Sequence, residues 1–282
     1  MALDISNSTS WDFPVREMPL PHPTKQGQTI GGLKAIMNAD TDKVLHVAGS
    51  GYTVLHNSDV VDALSASIKS ANVSSDCEFS VKTADGGKKL VCEVIYPDVT
   101  IEPKKGDFTQ FRVRAYNSYD GKWPFSEECD GLRCFCDNGM VSPMMVAAQR
   151  LRHTNSINIE GVTNRIVQNF ELFQTQSDLW AGMMKTKVDK PACLQFFKTR
   201  VVNNQGKATK ENYSLKQFAR LSDQLDYEMG IHGPTQWALY NCLTFWSTHT
   251  GEYANPAVTT RVREKQVRDA MKSKAWSQLE IA

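Results

Sequence analysis

The sequence lacks the features that are typical of membrane, secreted or disulfide-bonded proteins. No stretch approaches the roughly 20 consecutive apolar residues of a membrane-spanning helix, so no membrane partner is expected. Residues 1–15 hold neither a basic nor an apolar segment, which argues against a secretory signal. The 7 cysteines are odd in number and irregularly spaced, which favours reduced thiols in a cytoplasm over disulfides.

Motifs for nucleotide binding and catalysis are also lacking. The Gly49-Ser50-Gly51 stretch has no Lys-Ser/Thr pair of the kind that completes a phosphate-binding loop. Cys129, Cys134 and Cys136, with His153 downstream, have no second closely spaced pair to complete a tetrahedral zinc site. The sequence therefore nominates no catalytic residue, no metal ligand and no small-molecule cofactor.

Charge is nearly balanced overall but uneven along the chain. The formal net charge of the 282 residues is +1. Residues 1–150 hold 15 Lys/Arg against 19 Asp/Glu, and residues 151–282 hold 17 against 12. Overall charge thus neither favours nor excludes a nucleic-acid partner, whereas local charge permits one.

Hydrophobic periodicity divides the chain into three parts. Residues 1–32 are rich in proline and glycine and predict an extended N-terminal arm. Residues 33–155 predict an α+β core, whose sheet is an antiparallel β-meander with helices on one face. From residue 156 to residue 282 the period changes to 3.6, which predicts a mainly helical C-terminal half packed on the core.

Local signals place elements within the core. A short helix is predicted at 33–40, a hairpin around Gly49–Gly51, and a helix capped by Asn57-Ser58-Asp59. Alternating strands on both sides of Asp85-Gly86-Gly87 predict another hairpin. Residues 137–139 predict a turn, and the residues after Pro143 predict a helix that ends at 150–153.

The stretch from Phe111 to Thr154 concentrates polar and aromatic residues. In the strand pattern of residues 111–116, Arg112 and Arg114 share one face, and an Asp120-Gly121 turn follows. We expect cations to gather around exposed aromatic rings here and to bind single-stranded nucleic acid, since arginines neutralise phosphates and rings stack on bases. The predicted binding residues are Arg112, Arg114, Tyr116, Tyr119, Lys122, Trp123, Arg133, Arg150 and Arg152.

Two other interpretations of this stretch stay open. The arginines can pair with Glu127, Glu128 or Asp130 inside the subunit, with the aromatic residues in the core. Alternatively, these acids together with Asp137 can form the metal-binding cluster of a nuclease.

Several motifs in order along the chain carry a family resemblance. They are GYTV at 51–54 before Asn57 and a helix, RVRAYNSYDGKWPF at 112–125, LRCFCDNGM at 132–140, LRHT at 151–154 and GPTQWALYNCLTFWSTH at 233–249. With them the chain resembles the domain-of-unknown-function 932 family of phages and plasmids over residues 33–270. Cys242 departs from the small residue expected in that family. The resemblance implies a bacteriophage or mobile-element origin and the host cytoplasm, but no biochemical function.

The leading hypothesis combines this origin with the Arg/aromatic stretch. A helix, an antiparallel meander and a second helix are similar to the core of ring-forming single-strand annealing proteins. We therefore expect a non-enzymatic, homo-oligomeric phage protein that binds and anneals single-stranded DNA in replication or recombination. The alternatives are a phage protein-interaction factor that acts on host or virion proteins, and a metal-dependent nuclease.

Overall fold

The computed structural model describes the backbone of residues 11–133, 138–140, 149–154, 162–203 and 213–280. It confirms the α+β class, because two antiparallel sheets come before a helical C-terminal half. No helix among these residues is both long and apolar enough to cross a membrane.

The first sheet is three-stranded, in the order β1-β2-β3. Its strands are Val15–Pro21 (β1), Thr29–Asn38 (β2) and Val44–Gly49 (β3). In the described part of the predicted arm, β1 pairs with β2 in a β-hairpin. The predicted short helix at 33–40 is wrong, because these residues pair on both sides with β1 and β3 and this long-range pairing overrides the local pattern. The predicted hairpin around Gly49–Gly51 is also wrong, since no strand follows β3 before the first helix.

The first helix, α1, spans Asn57–Ala71. It begins one residue after His56, so Asn57 lies inside the helix and is not its cap. Instead, Asn57 is buried, and its backbone N–H donates to the Tyr119 hydroxyl at 2.9 Å. The buried apolar side chains of α1 are Val60, Val61, Leu64 and Ile68.

The second sheet has the order β4-β5-β6-β7-β8, with β9 also paired to β7. Positive φ angles at Asp85, Gly86 and Gly87 form the turn of the β4–β5 hairpin, as predicted from the sequence. The strands are Glu78–Ala84 (β4), Lys89–Lys104 (β5), Asp107–Ser118 (β6), Phe125–Arg133 (β7), Asn138–Met140 (β8) and Gln149–Leu151 (β9).

Two local predictions near the end of this sheet are wrong. Asn138 and Gly139 were predicted in a turn but belong to β8, where Asn138 pairs with Arg133. Arg150 was predicted in a helix but belongs to β9, where it pairs with Ser126. In both cases pairing with β7 decides the conformation, which a local pattern does not report.

The C-terminal half is helical, as the 3.6-residue period predicts. A five-residue π-helical segment, Phe197–Val201, continues α3. Near the C-terminus, Ser273 precedes a short last helix that is separate from the longer helix before it. The helices are Val162–Lys185 (α2), Lys190–Phe196 (α3), Leu215–His232 (α4), Gln236–Thr248 (α5), Pro256–Met271 (α6) and Lys274–Ser277 (α7).

The chain folds into two compact units, each built from separate segments of sequence. Unit 1 contains residues within 1–97, 112–129 and 147–170. Unit 2 contains residues within 98–111, 130–146 and 171–282. One apolar cluster of unit 1 consists of Phe13, Leu45 and Tyr119.

Helix α5 is the centre of unit 2. It packs against α4, α6 and β8, and its residues are buried on nearly every side. Its Trp237 lies 6.0 Å, ring centre to ring centre, from Trp180 of α2. A helix that is apolar all round is suited to such an interior position.

Candidate functional site

Arg112 and Arg114 lie on β6 and are buried, with 5% and 3% of their surface exposed. Arg112 Nη1 lies 3.3 Å from a carboxylate oxygen of Glu93, and Arg114 Nη2 lies 3.9 Å from one of Glu128. Burial alone would raise the pKa of Glu93, but Arg112, Lys82 and Arg114 lower it to about 2. Both arginines therefore meet carboxylates of their own unit. Glu128 is one of the partners that the ion-paired interpretation names, whereas Glu93 is not.

The three aromatic residues are buried as well, which corrects the expectation that they are exposed. Tyr116, Tyr119 and Trp123 expose 2%, 1% and 9% of their surface. Tyr116 and Trp123 meet edge to face at 5.9 Å, and Tyr119 packs on Phe13 at 5.7 Å. The physical reason is that β6 lies between β5 and β7 and has both faces covered. The alternation of residue types along β6 therefore does not separate buried from exposed side chains.

Arg133 lies in unit 2, within a buried network of charges. It donates two hydrogen bonds to Asp107, at 2.6 and 2.8 Å, and Nη1 lies 3.9 Å from Glu228. Such a two-pronged contact uses the planar geometry of the guanidinium. Arg133 is 3% exposed, so its predicted role as a surface phosphate contact is not supported by its position.

His232 belongs to the same network. Its Nδ1 lies 3.4 Å from Lys104 Nζ, and its Nε2 lies 3.5 Å from Glu228 Oε2. Nε2 also lies 3.2 Å from Arg133 Nη2, so a cation that can only donate hydrogen bonds is close to each ring nitrogen. Burial is the largest cause that lowers the pKa of His232, and the positive charges of Arg133 and Lys104 lower it further, to about 4. Burial also raises the pKa of Glu228.

The remaining predicted cations differ in position. Lys122 is exposed over 73% of its side chain, with its nearest carboxylate, that of Asp120, 3.9 Å away. Arg152 is exposed too. The side chain of Arg150 lies outside the described residues. The structure therefore keeps Lys122 and Arg152 at the surface of unit 1, while Arg112, Arg114 and Arg133 are internal.

A cleft of about 510 Å³ opens on unit 1 beside strand β3, and we call it the unit 1 cleft. Arg152 lines it, and Lys122 adjoins it through Gly121. Among the described residues that line the cleft there is an arginine and there are two histidines, but no carboxylate. The lining residues are His46, Val47, Ala48, Gly49, Tyr52, Gly121, Pro124, Arg152, His153 and Thr154.

Three rings are in contact at the unit 1 cleft. The Tyr52 and His153 rings stack at 5.1 Å with 21° between their planes, and His46 meets Tyr52 edge-on at 5.9 Å. His153 Nε2 lies 3.2 Å from the Trp123 carbonyl, and Tyr52 donates to the Ser118 carbonyl at 3.0 Å. Burial lowers the pKa of His153, although the Trp123 and Thr53 backbones partly oppose it. A neutral imidazole and a tyrosine ring thus form a fixed stack.

The acids proposed for a nuclease are internal in the described part of the chain. Glu127, Glu128 and Asp130 expose 1%, 3% and 4% of their surface, and Asp137 lies outside the described residues. Cys129 is buried, whereas Cys134 and Cys136 also lie outside. No group of three or more His, Cys, Asp or Glu side chains suited to a metal ion occurs among the residues that the structure describes.

Sequence reasoning missed the rings of the unit 1 cleft. His46 lies in the apolar run VLHV, which looks like a plain strand, and Tyr52 follows a Gly49-Ser50-Gly51 turn. The sequence signals were Tyr52, the second residue of the first motif of the family resemblance, and His153, which was considered only as a zinc ligand. His153 is the third residue of the fourth motif, more than 100 residues later, so only folding brings the two rings together.

A family model described as "Domain of unknown function (DUF932)" matches residues 44–276. The chain belongs to the DUF932 family. The match covers most of this DUF932 chain, including β3 and the residues of the unit 1 cleft. No curated protein and no solved structure matches this DUF932 protein significantly.

Proposed function

We propose that this protein binds single-stranded nucleic acid through the unit 1 cleft, without catalysing a reaction. In this proposal it acts in the replication or recombination of phage or other mobile DNA, where binding would assist strand annealing. The observation that carries the proposal is a cleft lined by Arg152, His46 and His153 and by the Tyr52 ring, with no lining carboxylate among the described residues.

The chemistry of the cleft suits a nucleotide. Arg152 and Lys122 are exposed and can neutralise neighbouring phosphates, which releases counterions from the strand. A base that enters the cleft meets the rings of Tyr52 and His46, and base–ring stacking contributes about 1–3 kcal/mol without requiring a particular sequence. The Thr154 hydroxyl can donate a further hydrogen bond to a phosphate oxygen.

The buried arginines have a different part in this proposal. Arg112 and Arg114 stay paired with Glu93 and Glu128 and do not touch the strand. Removing one of them would take a positive charge away from a buried carboxylate, which is destabilising. Their substitution would therefore report on folding, and the binding test needs residues at the cleft.

Binding of a fluorescent oligothymidine, followed by anisotropy in about 50 mM salt, is the direct test. Arg152→Ala is expected to weaken binding and to make the slope of log affinity against log salt shallower by about 0.7, the value for one phosphate contact on a single strand. Arg16→Ala is the matched control, because Arg16 is also an exposed arginine of unit 1 and lies outside the cleft.

Two outcomes would remove the proposal. One is the absence of any binding by the wild-type protein at that salt concentration. The other is an equal affinity and salt slope for wild type, Arg16→Ala and Arg152→Ala, since the cleft would then contribute no contact to the strand.

A second candidate function is a phage protein-interaction factor that does not touch nucleic acid. It is favoured by the internal carboxylate partners of Arg112 and Arg114, which this hypothesis predicts. Capture of partners from host lysate, with and without nuclease treatment, separates the two. Loss of the captured proteins after treatment indicates that nucleic acid bridged them, whereas persistent capture favours the direct protein contact.

A further inference from the structure

The outer edge of strand β3 faces the unit 1 cleft. Among the described strands only β2 pairs with β3, because β3 is last in the order β1-β2-β3. Four consecutive residues of β3, at positions 46–49, line the cleft, and none of the described lining residues belongs to β2. The cleft therefore adjoins the outer edge of the strand rather than a face of the sheet.

The strand register shows which backbone groups of β3 point toward the cleft. In an antiparallel pair, opposite residues alternate between hydrogen-bonded and non-hydrogen-bonded pairs. The Ser50 N–H donates to the Gly32 carbonyl at 2.9 Å, so these two residues form a hydrogen-bonded pair. Three positions along the ladder, Val47 and Ala35 form a non-hydrogen-bonded pair. The N–H and C=O of Val47 thus point away from β2, and neither has a hydrogen-bond partner among the described residues.

The two edges of this sheet differ in how they are protected against pairing. Strand β1, VREMPLP, contains two charged residues and two prolines, Pro19 and Pro21, which have no N–H to donate. Strand β3, VLHVAG, contains neither proline nor Lys, Arg, Asp or Glu. The irregularity in its pairing with β2 lies at residues 44–46, before most of the stretch that lines the cleft. Natural sheets use proline and charge to prevent pairing at an edge, so the β3 edge is suited to accept an added strand.

The charge of the cleft favours an acidic strand. Arg152 is exposed and lines the cleft, and Lys122 adjoins it through Gly121. The described lining residues include no carboxylate that would compete for these cations. An aspartate or glutamate of a bound peptide can therefore form a charge-assisted hydrogen bond with Arg152. We propose that an extended acidic peptide of a partner protein binds in the unit 1 cleft as a fourth strand, paired with the outer edge of β3.

The geometry sets how much of the peptide is held. Four residues that rise about 3.3 Å each span roughly 13 Å, so about four peptide residues pair with β3. Every second peptide amide would point toward β3, and the amides between would point away from it. A nucleic-acid strand in the same cleft would compete with the peptide. Peptide binding does not depend on nucleic-acid binding, because it uses the backbone groups of Val47.

Selection from a random-peptide display library on the immobilised full chain, with nuclease present, tests the inference. Acidic peptides without interior proline are expected to be enriched on wild type and on Val44→Pro, but not on Val47→Pro. The Asn38 N–H donates to the Lys43 carbonyl at 3.0 Å, so the neighbouring Val44 also directs its N–H away from β2. Val44→Pro is the matched control, because Val44 lies on the same edge but does not line the cleft.

Fluorescence anisotropy with a synthetic copy of an enriched peptide measures the affinity. Val47→Pro is expected to bind about tenfold more weakly than wild type and Val44→Pro, because its ring replaces the N–H that the peptide needs. Circular dichroism checks that both variants are folded. N-methylation of one peptide amide at a time requires no protein variant. A similar loss is expected at every second amide of the paired stretch, with little change at the amides between.

The inference is overturned if no peptide is enriched on wild type over Val47→Pro, or if the enriched peptides are basic. Equal affinities of wild type, Val44→Pro and Val47→Pro, or an N-methylation pattern without alternation, also overturn it. Binding of oligothymidine without peptide enrichment would assign the cleft to nucleic acid alone. Peptide enrichment without oligothymidine binding would support this inference and remove the proposed function.

Discussion

An arginine in an alternating strand can serve a surface or a core, and its neighbours decide which. Arg112 and Arg114 are buried because Glu93 and Glu128 lie close enough to offset their desolvation. Glu93, from β5, approaches Arg112 only when β5 and β6 pair in the sheet. At the residue scale, the alternating positions of arginines along a strand therefore do not by themselves show whether the arginine side chains are exposed.

His232 is the residue whose ionisation can be tested most directly. Its pKa is about 4 in the folded protein against an ordinary value of 6.5. Between these pH values the unfolded chain binds a proton that the folded chain does not, so the free energy of unfolding falls as pH drops from about 6.5 to about 4. The slope of the free energy of unfolding against pH is expected to become smaller by up to about 1.4 kcal/mol per pH unit when glutamine replaces His232.

Urea denaturation from pH 4.5 to pH 7.5 measures the slope for wild type and His232→Gln. His22→Gln serves as the control, because it makes the same replacement in the turn between β1 and β2, in the other unit. Equal slopes for wild type and His232→Gln would contradict the assignment of a lowered pKa to His232.

At the element scale, one predicted hairpin turn is confirmed, whereas Asn138 and Gly139 were predicted in a turn and belong to β8. The turn at Asp85-Gly86-Gly87 is encoded locally, because residues with positive φ must lie between the strands. The β2 strand was predicted as a short helix, because its pairing with β1 and β3 depends on residues up to about 20 positions away. Local turn chemistry is readable from sequence, whereas pairing requires the assembled sheet.

Gly87 provides a test of the β4–β5 hairpin. Its φ is +85°, and a Cβ there would lie 2.7 Å from Cε1 of Phe13. Gly106, in the turn between β5 and β6, has a φ of +83° and open space around its Cβ direction. Both alanine variants carry the cost of a left-handed alanine, about 1–2 kcal/mol, but only Gly87→Ala also displaces Phe13.

The expected result is a loss of unfolding free energy that is about 1–3 kcal/mol larger for Gly87→Ala than for Gly106→Ala. Chemical denaturation of the two variants measures the difference. Equal losses would mean that the Phe13 ring yields at no cost and that the N-terminal segment is not held against this turn.

At the scale of the whole molecule, the chain forms two compact units, each with its own buried cysteines. Cys92 in unit 1 and Cys242 in unit 2 are both 0% exposed. Burial raises the pKa of the Cys92 thiol to about 12 and raises that of Cys242 as well. Since the thiolate is the reactive form, each cysteine reports on the opening of its own unit.

Pulsed alkylation followed by peptide mass spectrometry makes this comparison. In the native protein the partly exposed Cys77 is expected to react at least tenfold faster than Cys92 or Cys242, because thiolate formation and access both favour it. Added denaturant should make both buried thiols reactive toward the alkylating reagent. Alkylation of Cys92 or Cys242 at the rate of Cys77 in buffer would show that its unit is open in solution.

The sequence by itself determined the α+β class, the β4–β5 turn, the helical C-terminal half and the family, because periodicity, turn residues and ordered motifs are visible without knowing which strands pair. Only the tertiary structure decided which face of a strand meets solvent, because that depends on the elements that cover it. Thus β6 carries the predicted arginines and rings, but β5 and β7 flank it and enclose them. Conversely, Tyr52 and His153 meet at a cleft only because the chain brings two distant segments together.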